Sequence, residues 1–325
     1  MQEFVRGTTR QRISRKNLGT LRLTVPDIEE QLAIAESVER LDVRREDAAS
    51  HANSARRAMA RFRHAILVAA CSGRLTADWR EVQHGGGPVA ESLVAEATRR
   101  RGEVCRKAAV LPADIDNSAE IPPSWRLVSL DAITTRITSG SRDWSKYYGR
   151  GRGTFVMAQN VRPGALDWSF RQLVDPPPDD PSRNRSQIQK GDLLITIVGA
   201  NTGDVGTVVD DRPEHFVCQS VALARPAVPE CSAYLNLWFS SLQHGQHYFA
   251  DCIYGEGRPH LSFDQLRATP IALPPLEEQR EIVIKAEALL DAANELSQRI
   301  DAAEHRVGQC KQAILAKAFR GELST

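Results

Sequence analysis

The sequence predicts an α+β chain in which one mixed α/β segment is combined with two long helices of coiled-coil periodicity. Three observations carry this. First, two distant stretches are copies of each other. Val25-Pro26-Asp27-Ile28-Glu29-Glu30-Gln31 returns 248 positions later as Leu273-Pro274-Pro275-Leu276-Glu277-Glu278-Gln279, and Gly73-Arg74-Leu75 returns as Gly321-Glu322-Leu323. The 64 ungapped pairs from Ile13/Leu261 to Thr76/Ser324 hold 16 identities, too many for chance at a fixed offset. Second, each copy carries an apolar residue every 3.5 positions, the spacing of a coiled-coil seam. Third, the intervening residues are broken into short Val-, Ile- and Thr-rich runs with a helical stretch last.

Taken in order, residues 1–26 match residues 249–274, with Gly7, Arg10, Ser14 and Leu18 falling on Gly255, Arg258, Ser262 and Leu266. They are expected to be the remnant tail of a second copy of the middle segment. Residues 27–76 form the first long helix, its stripe running Ile34, Val38, Leu41, Arg45, Ala48, Ala52, Ala55, Met59, Phe62 and Ile66, with Arg45 as the one break. Pro26 suits its start and Gly73 its end. Residues 77–120 read as a linker. Gly85-Gly86-Gly87-Pro88 breaks it, and a short polar helix carries Arg99-Arg100-Arg101 on a solvated face.

Residues 121–273 are the mixed α/β domain, long enough to bury their own core. Strands are expected at Trp125–Leu130, Thr154–Ala158, Leu193–Val198, Val205–Val209 and Val217–Ala224, and a helix at Ser232–Phe249. Residues 274–325 form the second long helix. Its seam is Ile282, Ala286, Leu289, Ala293, Leu296, Ile300, Ala303, Val307, Cys310 and Ile314. Some 42 residues at ~1.5 Å each give a helix of roughly 60 Å.

Net charge is +1, so a nucleic-acid site must be a local patch. Six scattered cysteines without a C-x-x-C pair predict neither a zinc site nor a disulfide framework, and a reducing cytoplasmic setting. No signal peptide is evident, and the longest apolar run, Ala65 to Cys71, is too short to span a bilayer. Gly199-Ala200-Asn201-Thr202-Gly203 lacks the Gly-Lys-Ser/Thr of a phosphate-binding loop. Asp175-Pro176-Pro177-Pro178 lacks the aromatic residue that would stack on a flipped base. Asp192, Asp204, Asp210 and Asp211 are candidate metal carboxylates, but Asp210-Asp211-Arg212-Pro213 reads as a turn. No metal, cofactor or catalytic residue is therefore expected.

A binding surface remains. Arg136, Arg142, Lys146, Arg150 and Arg152 face one acid, Asp143, with Trp144, Tyr147 and Tyr148 interleaved among glycines. Such a loop suits phosphate neutralisation. Asn160, Arg162, Asn184, Asn201, Gln219 and Arg258 are of the types that pair with base edges. The candidate contacts are Arg142, Lys146, Tyr147, Arg150, Arg152, Asn160, Asn201, Gln219 and Arg258. For the helix–helix interface they are Ile34, Leu41, Phe62, Ile66, Leu289, Leu296, Ile300, Val307 and Ile314.

Several motifs in this order resemble a known family. They are the two Pro-x-x-Glu-Glu-Gln helix openings, their Ala-Ile-Leu…Gly-x-Leu ends, Ile121-Pro122-Pro123-Ser124-Trp125, Lys190-Gly191-Asp192-Leu193-Leu194, Gln219-Ser220-Val221-Ala222-Leu223 and Gly257-Arg258-Pro259-His260-Leu261. The chain resembles the DNA-specificity subunits of type I restriction-modification systems, in a half-length form with a single target-recognition domain. The resemblance implies that residues 121–273 are that domain and that the two long helices pack antiparallel as a spacer. It also implies a non-catalytic subunit that directs a separate adenine methyltransferase subunit and an ATP-dependent restriction subunit to a split site in double-stranded DNA. Members usually carry two recognition domains, so a homodimer, or pairing with a second half-subunit, is expected to restore the second. Two other readings follow from the residues alone: a coiled-coil structural or regulatory protein whose recognition domain no longer binds DNA, and a nuclease fused to a coiled coil.

Overall fold

The computed structural model describes residues 5–6, 12–13, 15–20, 25–83, 87–105, 107–113, 121–212 and 214–322. The chain divides into a smaller unit, residues 1–57 with 297–325, and a larger one, residues 58–296. In chain order the elements are β1 (Val5–Arg6), β2 (Arg12–Ile13), α1 (Arg15–Leu18), α2 (Ile28–Cys71), α3 (Ala77–Val82) and α4 (Ala90–Val104). Next come β3 (Arg126–Ser129), β4 (Thr134–Ser139), β5 (Tyr148–Val156), β6 (Val161–Arg162), β7 (Ala165–Leu166), β8 (Leu173–Val174) and α5 (Pro181–Ser186). The chain continues with β9 (Leu193–Thr196), β10 (Val205–Thr207), β11 (Phe216–Val217), β12 (Val221–Pro226), α6 (Ser232–Ser240), α7 (Gly245–Cys252), α8 (Phe263–Ala268), β13 (Pro270–Leu273) and α9 (Leu276–Phe319).

The sequence repeat is a structural repeat. α2 and α9 each have 44 residues and open alike: the Gln31 amide donates to the Pro26 carbonyl at 2.7 Å, and Gln279 donates to the Pro274 carbonyl at 2.9 Å. The Gln of the motif thus folds back to fix the entry of the chain. Both helices run out into a left-handed glycine, Gly73 at φ 76° and Gly321 at φ 71°. In residues 1–26, β1 pairs with β2 with Arg6 opposite Arg12, which repeats the pairing of Tyr254 with His260. Gly7, Arg10 and Ser14, the other positions expected to match residues 255, 258 and 262, lie outside the described residues.

Within each unit the long helices run antiparallel. In the smaller unit Arg56 pairs with Asp301 and Glu304, and Glu30 lies against Gly321. In the larger one Arg63 donates to Asn294 at 2.7 Å and Lys285 to Asp78 at 2.9 Å. The seam differs from strict heptads. On α9, Ala286 and Ala293 are buried and Ile300, Val307 and Ile314 half-buried. On α2, Ile66 is buried and Ile34 and Leu41 half-buried. Leu289, Leu296 and Phe62 are instead 37%, 46% and 41% exposed. Their places are taken one residue later by Leu290, Ser297 and Arg63. A helix near 3.6 residues per turn drifts by about 20° per heptad from a 3.5 repeat, which rotates the second column off the contact line. Arg45 sits on the seam by bonding to Asp42 at 2.6 Å.

The larger unit is built on the antiparallel sheet β10-β9-β12-β4. Side chains alternate across it. Leu193, Ile195, Ala222 and Ala224 join a core with Trp125, Tyr234, Leu235, Phe239 and Phe249, which also takes in Ile66, Ala70, Ile282 and Ala286 of the long helices. Leu194, Val221 and Leu223 join a second core with Trp144, Phe155, Ile188 and Phe216. Both faces are covered, so these strands read as continuous apolar runs. The second core also holds the small sheet β11-β5-β8, and β13 pairs with β3 at the base of the first.

Two expectations change here, and one candidate is settled. The helix expected over Ser232–Phe249 is two, α6 and α7. A side chain at Gly245 would come within 2.8 Å of the Phe239 backbone, so the chain turns there. Residues 77–104 do not form a polar linker: α4 buries Leu93 and Ala97, and Arg101 is not solvated but buried on Asp131 at 2.9 Å. Asp192, weighed and set aside as a metal carboxylate in the sequence, is an ion-pair partner instead. It is 1% exposed and holds Arg225 through both oxygens at 2.8 Å. Burial pushes its carboxyl above the usual range despite that partner.

Candidate nucleic-acid interface

The sheet places several of the predicted contacts together. At one end, β4 finishes, β12 begins and β9 finishes side by side. The backbone of Gly140 donates to Cys218 at 3.1 Å, Ile197 to Ser220 at 2.9 Å, and Leu261 to Ile197 at 3.0 Å. Gly140 must be glycine, because a Cβ there would lie 1.5 Å from the Val217 carbonyl oxygen. The turn after β9 is tied in the same way, with Gly199 donating to the Pro259 carbonyl at 3.1 Å. Arg142, Gln219, Asn201 and Arg258, spread over 117 positions of sequence, therefore collect along one edge. Arg258 rides on a hairpin closed by the Tyr254–His260 pair, whose rings stack at 5.9 Å with Tyr254 56% exposed.

The basic aromatic stretch is anchored from below. Trp144 is 1% exposed, packs on Phe155 and Phe216, and donates its indole N–H to Asp180 at 2.7 Å. That fixed ring leaves Arg142 and Lys146 outward on either side of it. The Lys146 ammonium lies 5.0 Å from the half-buried Tyr147 ring, a cation–π pair. Gly149 and Gly151, both left-handed at φ 75° and 74°, produce the bulge on which Arg150 and Arg152 are displayed. A Cβ on Gly151 would press on Asp175 at 2.7 Å. Arg152 lines a shallow cleft of about 390 Å³ with Asp175, Arg183 and Glu214.

The predicted residues divide by whether their donors are already used. Among the described residues, no protein group accepts a hydrogen bond from the side chains of Arg142, Lys146, Arg150, Arg152, Asn201, Gln219 or Arg258. Asn160 is the correction. It is fully buried, its oxygen accepting from the Met157 backbone at 2.9 Å and its amide donating to the carbonyls of Asp167 and Phe170. An amide with its bonds spent inside a turn reads no base. Arg136 is also structural, half-buried on β4 and donating to the Asn184 carbonyl at 3.0 Å.

The structure adds residues that sequence reasoning passed over. Arg171 donates to the Arg152 carbonyl at 3.4 Å. The Arg212 guanidinium covers the Trp168 ring at 4.2 Å, and Trp168 meets His215 edge-on at 5.5 Å. Burial first, then the Arg212 and Arg171 cations, hold the His215 imidazole down at about 4, so it is neutral at pH 7. Within the described residues, no group of three or more His, Cys, Asp or Glu is placed to hold a metal ion, and no helix is long and apolar enough to cross a membrane.

Residues 181–303 match the family model described as "Type I restriction modification DNA specificity domain". The chain is 27% identical over 325 residues to the type I restriction enzyme EcoBI specificity subunit of Escherichia coli, an alignment covering 96% of this chain and 60% of that protein. It is 24% identical over 314 residues to the EcoKI specificity subunit of Escherichia coli strain K12, covering 94% and 58%. Its fold matches a chain of a solved structure described as "Structural basis underlying complex assembly and conformational transition of the type I R-M system". The TM-score is 0.60 at 21% identity, over 97% of this chain and 65% of that one. The chain resembles type I restriction enzyme specificity subunits in sequence, and its fold resembles that of a chain in a solved type I R-M structure. It spans less than two thirds of the length of the relatives it matches.

Proposed function

We propose that this chain is a non-catalytic reader of double-stranded DNA sequence. In this reading residues 121–273 are a target-recognition domain that directs a separate adenine methyltransferase subunit, and an ATP-dependent restriction subunit, to a split target site in the cytoplasm. The supporting observation is the set of unspent donors on one domain. Arg142, Gln219, Asn201 and Arg258 line one sheet edge, and Lys146, Arg150 and Arg152 flank a rigid aromatic anchor. Arginine and amide side chains with free donors are what base-edge and phosphate contacts require. One such reader suits half of a split site, so we infer that the chain works as a homodimer or beside a second half-subunit.

The test is DNA binding by the full chain across a salt series, on duplexes carrying the motif that methylome sequencing assigns to this gene. Replacing Arg142, Lys146, Arg150 and Arg152 with Ala should weaken binding and flatten the log–log salt dependence. The slope should fall by about 0.9 for each phosphate that is no longer neutralised, so by roughly 2 to 4 in all. Salt-independent binding, or methyl transfer by this polypeptide alone, would overturn the reading.

A further inference from the structure

The Lys190-Gly191-Asp192-Leu193-Leu194 motif lies at the other end of the sheet from the edge that collects Arg142, Gln219, Asn201 and Arg258. There β9 and β4 begin and β12 ends, whereas at the collecting edge β9 and β4 finish and β12 begins. Six residues of β4 at ~3.3 Å each put about 20 Å between the two ends. Beside the motif the chain forms a cavity of about 270 Å³. That is smaller than the ~300–1,000 Å³ of pockets that take drug-sized ligands, so it suits a small occupant.

The cavity gathers charges from three parts of the chain. Arg100 and Glu103 come from α4, Lys190 and Asp192 from the turn before β9, and Arg225 from β12. Both acids are engaged. Asp192 is buried and takes Arg225 through both oxygens, and Glu103 is held by Arg99 at 2.6 Å. The cations have donors left over. Arg225 spends Nε and Nη2 on Asp192 and the Gln187 carbonyl, and its Nη1 meets no acceptor among the described residues. Arg100 shares Glu96 with Arg99 and donates Nη1 to the Ala227 carbonyl at 3.2 Å, which leaves Nη2 unspent. The Lys190 ammonium is exposed and meets no protein acceptor among the described residues.

A second guanidinium crowds the same carboxylate. Arg136 stands directly opposite Arg225 in the β4–β12 register, half-buried, and its hydrogen bond goes to the neutral Asn184 carbonyl. Burial first, then the Arg225 charge, pull its guanidinium below the usual arginine range. Two arginines around one buried acid leave a positive charge without its own counter-ion among the described residues. Such a charge is costly unless an anion joins it.

We propose that this cavity binds a small phosphate anion, of the size of inorganic phosphate or pyrophosphate, taken free from solution. Arg225 Nη1 and Arg100 Nη2 donate to its oxygens, and the Lys190 ammonium meets it from the rim. Guanidinium and ammonium groups with unspent donors are the usual partners of phosphate. The site goes beyond DNA reading and does not depend on it, because a duplex lying on the far edge of the sheet leaves this end uncovered.

Calorimetric titration of the full chain with pyrophosphate, in metal-free and phosphate-free buffer, tests this. One saturable site is expected. Lys190→Ala combined with Arg100→Ala should weaken it at least ~10-fold, since each change removes a charge-assisted hydrogen bond. Neither change touches the buried Asp192–Arg225 pair, so the fold around the cavity is kept. Arg142→Ala, on the far edge, should leave pyrophosphate affinity unchanged. No saturable binding overturns the site, and so does binding that Arg142→Ala weakens as much as the double variant does. DNA binding by the double variant across a salt series separates the sources of phosphate. The wild-type slope is expected. A slope lower by about 0.9 per lost cation would put a DNA phosphate in the cavity and overturn a site for the free anion.

Discussion

At the residue scale, Glu278 shows how a charged side chain can be buried without being wasted. Its oxygens are shared among a hydroxyl, an indole and a guanidinium, so desolvation is offset by three donors. Removing the acid should be worse than removing one donor. Glu278→Ala strands Arg80 and the Trp125 N–H in a closed site and should cost about 3–5 kcal/mol, whereas Trp125→Phe removes one hydrogen bond and should cost about 1–3 kcal/mol. Urea denaturation of both variants checks the order; equal destabilisation would mean that the junction holds by ring packing alone. This site was half legible in the sequence. The repeat marks Glu278 and Glu30 as equivalent, but no spacing rule joins residue 278 to residues 76, 80 and 125. The same limit applies to Asn160, which looks like any exposed amide until its turn is built around it.

At the scale of elements, helices defined by long periodicity were legible and a polar strand was not. β4, Thr134-Thr135-Arg136-Ile137-Thr138-Ser139, has one strongly apolar residue and is held by its pairing to β12. Its neighbours β9 and β12 announce themselves because both their faces are buried. The misplaced seam residues Phe62, Leu289 and Leu296 show the other limit, since a heptad count assigns columns but not the drift of a real helix. The helix ends allow a test in which each repeat is the control for the other. Gly73 and Gly321 share a left-handed backbone, so Ala at either costs about 1–2 kcal/mol in conformation. At Gly73 the new Cβ would also lie 2.6 Å from the Pro122 ring, whereas at Gly321 the nearest atom of a described residue is 3.7 Å away. Gly73→Ala should therefore lower the unfolding free energy by about 1–3 kcal/mol more than Gly321→Ala. Thermal or urea melts showing the two equal would contradict the tight packing of the Pro-Pro-Ser-Trp turn.

At the scale of the whole molecule, the division of labour within the larger unit predicts two separable classes of variant. Arg258, Asn201 and Gln219 sit at the sheet edge, where backbone hydrogen bonds from β9, β12 and the Tyr254–His260 hairpin fix the position of each Cα. Positions fixed in that way suit base readout, which tolerates little displacement. Arg150 and Arg152 stand on a bulge shaped by two left-handed glycines, and Arg171 and Arg212 lie in the same quarter, Arg171 on the Arg152 carbonyl and Arg212 on the Trp168 ring and, at 3.4 Å, the Asp210 carboxylate of its own turn. Exposed cations on turns suit phosphates, which carry no sequence information. Arg258→Ala and Gln219→Ala should accordingly reduce discrimination between the target and a duplex with one base pair changed, by about 1–3 kcal/mol, while leaving the salt slope nearly unchanged. Arg150→Ala and Arg212→Ala should weaken target and altered duplex alike and lower the slope by about 0.9 each. Competition binding on both duplexes at several salt concentrations separates the two. If all four variants bind more weakly yet discriminate as well as wild type, the sheet edge contacts the backbone and the reading residues lie elsewhere on the domain.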